Sequence, residues 1–321
     1  MYEKVIESEI LNCLMSISFH ITSILGHEVD EQDFEILKIL DRNCRVSYSK
    51  IAELVNLPLR NVSTRIENLI TDNVIKRFTV QFNYGSLGYR HYIGSIHPQE
   101  GKKFLFKELQ LIPEIYRIWE LIDETLTISF FCRNAKHLEE VLNNIIKTGA
   151  ELNNYTEARI FFPLDIPYSI TDWQIIFYLL NNSRASKKEI AQSLTISEKT
   201  VNRRIKRMRN MKLISFIPEI DFEAISGIIT AVISLETVGP SKQTYLNIKE
   251  DKSIKYWRSA GSVTPSIVLF VYGKSITEIY NMYLKLKKRE DIKKARMTFV
   301  VRNFENSTLI EDAILKKIQS S

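Results

Sequence analysis

The stretch Lys187 to Ile217, KKEIAQSLTISEKTVNRRIKRMRNMKLISFI, decides the fold of this chain. Ile190, Ala191, Leu194 and Ile196 lead into Val201, Ile205 and Met208, which recur at i, i+4 and i+7 and so share one helical face. The pattern predicts two short helices separated by a tight turn near Thr195, with Ser197 capping the second. From Ser197 to Lys212, seven basic side chains (Lys199, Arg203, Arg204, Lys206, Arg207, Arg209 and Lys212) meet the single acid Glu198. An apolar inner stripe beneath a cationic outer face suits a helix-turn-helix, whose second helix lies in the DNA major groove while its other side stays docked on the domain. A merely solvated surface helix shows the same charge, so charge alone does not decide.

The decisive addition is a second copy. Adding 139 to each position from Asp33 to Ile75 lands on Asp172 to Ile214 without a gap, and 12 of the 43 pairs are identical, among them Asp33/Asp172, Arg45/Arg184, Ala52/Ala191, Val62/Val201 and Arg65/Arg204. Unrelated segments of ordinary composition would share roughly two or three. The chain is therefore duplicated. Arg77–Phe82 and Phe216–Phe222 read as wing strands, and each copy continues as strand, helix, two strands, helix, strand. In the first copy these fall at Tyr89–Ile96, Gly101–Leu111, Ile115–Leu121, Leu126–Cys132, Ala135–Lys147 and Glu157–Phe162. In the second they fall at Ile228–Glu236, Ser241–Lys249, Ile254–Ser259, Ser266–Tyr272, Thr277–Lys287 and Arg296–Phe304. The expected class is α+β, with two winged helix-turn-helix domains each followed by a ferredoxin-like βαββαβ domain.

This order of elements resembles the Lrp/AsnC (feast/famine) regulators. The resemblance is carried by Asp33-Phe-Glu-Ile-Leu-Lys-Ile-Leu, Ile51-Ala-Glu-Leu, Val62-Ser-Thr-Arg-Ile-Glu-Asn-Leu and Leu87-Gly-Tyr, and by Asp172-Trp-Gln-Ile-Ile, Ile190-Ala-Gln-Ser-Leu and Thr200-Val-Asn-Arg-Arg-Ile in the second half. It implies double-stranded DNA as partner, allows a small-molecule effector at a sandwich interface, and allows a homodimer. The boundaries that follow are an N-terminal helix over 1–29, a winged helix over 30–84, a sandwich over 85–162 and a linker over 163–169. The second winged helix then runs over 170–224, its sandwich over 225–305 and a C-terminal helix over 306–321.

Net charge of +6 and a pI near 9.0 favour a polyanionic partner. Cys13, Cys44 and Cys132 have neither zinc nor disulfide-framework spacing and read as core thiols of a cytoplasmic protein. No apolar run reaches membrane-spanning length, so no membrane partner is expected. Ile10, Leu14, Ile17, Ile21 and Ile24 form a narrow helical seam suited to self-association or to packing on the chain's own domain. Asp30 or Asp33 is placed to cap the first winged helix, and Ser169-x-x-Asp172 and Ser186-x-x-Glu189 are capping boxes in the second.

The expected base-edge contacts are Lys199, Thr200, Asn202 and Arg203, with Arg204, Lys206 and Arg207 on phosphates. In the first half the expected DNA-contact set is Arg60, Asn61, Ser63, Thr64 and Arg65, able to touch both phosphates and base edges, with Arg77 at the wing. Arg45 and Arg184 precede the second helix of each copy, where such a residue reaches a phosphate or caps a turn. No catalytic or metal-binding constellation stands out, so a non-enzyme without cofactor is expected. Two rivals remain. Siroheme decarboxylases share the winged-helix plus βαββαβ arrangement, and His91, His97, Arg90 and Arg117 could face a tetrapyrrole cleft. A protein-interaction scaffold that kept only the fold would show no affinity for duplex DNA.

Overall fold

The computed structural model describes residues 27–99, 101–123, 125–157, 167–261 and 266–320. Of the N-terminal helix read over 1–29, positions 1–26 lie outside these residues and His27–Glu28 is a short strand instead; positions 163–166 of the linker also lie outside. The first half runs β1 (His27–Glu28), α1 (Glu31–Arg42), α2 (Tyr48–Val55), α3 (Leu59–Thr71), β2 (Ile75–Phe82), β3 (Arg90–Pro98), α4 (Lys102–Gln110), β4 (Ile115–Leu121), β5 (Leu126–Cys132), α5 (Ala135–Lys147) and β6 (Ala150–Glu157). The second runs α6 (Ile170–Asn181), α7 (Lys187–Leu194), α8 (Glu198–Asn210), β7 (Ile214–Ile220), β8 (Ile225–Ser226), β9 (Ile229–Thr237), α9 (Ser241–Glu250), β10 (Tyr256–Gly261), β11 (Ser266–Gly273), α10 (Ile276–Lys287), β12 (Ile292–Thr298), β13 (Val300–Glu305) and α11 (Thr308–Gln319).

The helix starts follow from local chemistry. Asp30 caps α1 and Asp33 completes its box; Ser169 with Asp172 and Ser186 with Glu189 do the same for α6 and α7. Ser197 caps α8 through the Thr200 amide, and Asn56 and Thr195 end α2 and α7 in the left-handed region at φ 55° and 54°. These two are 139 apart, so the turn between helices is the same strained turn twice. Asn tolerates that backbone, whereas the β-branched Thr195 does so at a cost.

Each sandwich has its own core beneath two helices, with Ile96, Ile118, Ile128, Phe130 and Ile145 in the first and Ile233, Leu235, Ile267, Leu269 and Ile279 in the second. The last described strand of each sandwich departs from the pattern-based placement. In the first copy a strand at Ala150–Glu157 pairs with β3, and the strand read over Glu157–Phe162 from sequence falls, beyond Glu157, on positions 158–162 outside the described residues. In the second copy the single strand read over Arg296–Phe304 divides: β12 pairs with β9, while β13 crosses to the first sheet and pairs with β4. The sheets are thus β13-β4-β5-β3-β6 and β10-β11-β9-β12.

The two halves are joined about a pseudo-twofold axis. Wing strands β2 and β7 pair with each other antiparallel, with Phe78 opposite Pro218 and Thr79 opposite Ile217. Subtracting 139 from the second partner turns these into 78 with 79 and 79 with 78, the self-complementary register of an isologous contact. Beside the wings, Arg45 donates to the carbonyls of Ser183 and Ala185, and Arg184 donates to those of Cys44 and Val46. These positions are again equivalent, so each arginine spends two of its five N–H donors on tying down the other half. Cys44 Sγ and Ser183 Oγ, themselves equivalent, meet at 3.0 Å on the axis. A further contiguous core runs through both winged units and onto the facing sheets, including Phe34 against Trp257 and Trp119 against Phe270.

Two outcomes test this reading. Replacing Thr195 by Asn, the residue of the other copy, should raise stability by about 1 kcal/mol in denaturant titration. Replacing Arg45 or Arg184 by alanine strips two inter-half carbonyls of a charged donor and should cost about 2 kcal/mol, with the double variant departing from additivity because both act on one joint.

Candidate nucleic-acid interface

Helix α8 buries Val201, Ile205 and Met208, each side chain contributing about 1.5–3 kcal/mol, so its opposite face must point to solvent. Lys199, Asn202, Arg203, Lys206, Arg209 and Asn210 are exposed there, and Thr200 lies half-buried in the first turn. Lys199, Arg203 and Lys206 make no ion pair with the described residues. A stripe of free cations and amides along a docked helix can meet phosphates and base edges together.

The corresponding helix α3 buries Val62, Ile66 and Leu69 and exposes Arg60, Asn61 and Thr64, with Ser63 half-buried. It is far less cationic. Leu59 and Ile70 stay 51% and 42% exposed where α8 carries Glu198 and Arg209, so the two faces have diverged on one scaffold.

Four residues expected to contact DNA are engaged inside the chain. Arg65 donates to Asp33 at 2.8 Å and to Asp30 at 2.9 Å, holding α3 against the start of α1. Arg204 donates to the Ser169 hydroxyl at 3.0 Å and lies 3.6 Å from the Asp172 carboxylate. Arg207 donates to Asp172 at 3.0 Å and to the Pro167 carbonyl at 3.1 Å. Asp33 and Asp172 are buried, and a buried carboxylate needs such partners. Arg77 bridges the halves through Glu219 at 2.6 Å and Ser307 at 3.1 Å.

The four residues considered for a tetrapyrrole cleft are disposed as follows. Arg90 is exposed near Glu157, and His97 lies toward the other end of β3. His91 and Arg117 come together in the interior. Both His91 ring nitrogens are buried without a hydrogen-bond partner among the described residues, its ring packs on Phe131 at 5.1 Å, and Arg117 is paired with Glu305 of β13. Burial, and then the neighbouring Arg117 charge, push the His91 pKa down to about 4. Between the sheets lies a polar cleft of about 620 Å³, lined by His97, Asp123, Thr127, Ser234, Arg296 and Thr298 among others. Among the described residues no helix is long and apolar enough to cross a membrane, and no group of three His, Cys, Asp or Glu could hold a metal ion.

A family described as winged helix-turn-helix DNA-binding matches residues 29–76 and again 169–215. Each half carries a winged helix-turn-helix unit. In its order of winged helix and ferredoxin-like domain the chain is similar to the Lrp/AsnC regulators, as the sequence resemblance implied. Curated relatives include an HTH-type transcriptional regulator of Pyrococcus horikoshii, 42% identical over 62 residues, which are 19% of this chain and 42% of that protein. Another is the HTH-type transcriptional regulator LysM of Sulfurisphaera tokodaii, 46% identical over 55 residues, 17% of this chain and 39% of LysM. The chain thus spans about two-fifths of the length of these relatives. Among solved structures, the siroheme decarboxylase NirDL aligns over 90% of this chain and 99% of its own at 16% identity with a TM-score of 0.51, a likeness of fold.

The isolated His91 also predicts a pH dependence. Its folded pKa lies below the 6.5 of the exposed side chain, so the unfolded chain binds the proton first as pH falls. Stability should therefore be full above pH 6.5 and decline toward pH 4 by about 3 kcal/mol from this group. Denaturant midpoints measured across that range should flatten in His91→Leu relative to the parent chain.

Proposed function

We propose that the protein is a sequence-specific DNA-binding transcriptional regulator of the cytoplasm, similar in kind to the Lrp/AsnC regulators. The observation that carries this reading is the outward stripe of Lys199, Arg203 and Lys206, free of ion pairs among the described residues, on the second helix of a winged helix-turn-helix. The names of its relatives add support, being HTH-type transcriptional regulators. With Thr200 and Asn202 beside them, these side chains offer both charge and hydrogen-bond readout. Arg60, Asn61, Ser63 and Thr64 offer a nearly uncharged counterpart on the first half. The polar cleft between the sheets is the natural seat for a small-molecule effector, and the exposed Leu59 and Ile70 suit association with a second chain.

Selection from a random duplex pool should enrich one motif, non-palindromic if one chain occupies the site. Lys199→Ala with Arg203→Ala should lower the slope of log affinity against log salt by up to about 1.8. Arg207→Ala should lower stability and leave that slope in place. An absence of duplex binding at every salt concentration would remove the reading.

A further inference from the structure

Equivalent positions around the pseudo-axis carry different chemistry at one place above all. A cleft of about 440 Å³ lies between the halves, lined by Arg45 of the first half and by Lys187, Asn202, Ile205, Lys206, Arg209 and Asn210 of the second. Among the described residues that line it, four are cations, two are amides and none is an acid. Arg45 and Arg209 both lie over the Phe216 ring, their guanidinium carbons 5.4 and 6.0 Å from its centroid. Two like charges are thus held against one aromatic ring. Burial, followed by repulsion from Arg184 and Arg209, lowers the pKa of Arg45. Arg45 cannot swing away, since it is bound to the Ser183 and Ala185 carbonyls. Lys187, Lys206 and Arg209 are exposed and make no ion pair with the described residues.

The symmetry-related place has no such character. There Arg184 is joined by Tyr48, Ser63, Glu67, Ile70 and Thr71, an acid and two apolar or aromatic side chains replacing three cations. Arg184 itself lies over the rings of Tyr48 and Phe78 at 4.6 and 5.3 Å. The concentration of charge in the first cleft is therefore not a requirement of the fold.

We propose that the cleft of Arg45, Lys187, Lys206 and Arg209 is a phosphate site, one per chain, filled by a backbone phosphate when the protein lies on DNA. Its DNA occupant rests on the regulator reading above; its anion chemistry does not. Uncompensated guanidinium and ammonium groups flanked by amide donors match a phosphate's charge and its several acceptor oxygens. Because Arg45 comes from the opposite half, the bound phosphate would fasten the winged units together as well as anchor the chain.

The test uses the full chain and Lys206→Gln with Arg209→Gln, two exposed positions whose replacement leaves the helix core intact. With inorganic phosphate as probe, the parent should show a rise in thermal midpoint beyond that given by chloride at equal ionic strength, and the variant should lose it. On duplex DNA the variant's salt slope should fall by about 0.9, the loss of one phosphate contact. A variant that keeps both the phosphate effect and the full slope overturns the site while leaving the regulator reading standing. A phosphate effect in a chain that binds no duplex supports the site and removes the regulator reading.

Discussion

Pairing of the two wing strands is the contact on which the architecture depends. Among the described residues neither wing has another strand beside it, and β2 and β7 make a two-stranded sheet of their own. A two-stranded ribbon is marginal by itself, and here it is backed by Phe78, Val80, Phe82 and Phe216 in the shared core and bracketed by the reciprocal Arg45 and Arg184 contacts. The crossing of β13 onto the first sheet adds a second bond between the halves. The winged units therefore stand on each other as much as on their own sandwiches.

Within that symmetric frame, position in the sequence separates structure from recognition. Asp33 with Arg65, and Asp172 with Arg204, make the same buried lock in both copies between the first helix of a winged unit and its last. Around the locks the outward side chains differ: Arg60 stands where the second copy has Lys199, Thr64 where it has Arg203, and Glu67 where it has Lys206. The interior keeps one solution and the surface holds two.

Much of this was legible in the chain itself. The capping boxes, the apolar stripes of α3 and α8 and the 139-residue repeat all rest on local spacing, and they gave the helices and the order of elements. The inward turn of Arg65, Arg204 and Arg207 was missed because counting charge along a helix does not say which way a long side chain bends; a buried carboxylate on another helix decides that. A signal was nonetheless available, since Asp33, Arg45 and Arg65 are identical to their counterparts while the outward residues are not. The wing-on-wing register and the crossing of β13 had no such trace. Both join residues far apart in sequence, and their strands keep the same alternation whichever neighbour they choose.

Fusion of the two halves changes what dilution and divergence can do. Two separate chains meeting at their wings would part as concentration falls, whereas here the contact is intramolecular and the local concentration of one wing about the other is fixed by the chain. A symmetric pair must also change both of its reading heads with every substitution. A chain that encodes each head separately can alter one and leave the other, and the contrast between Glu67 and Lys206 is a record of that freedom.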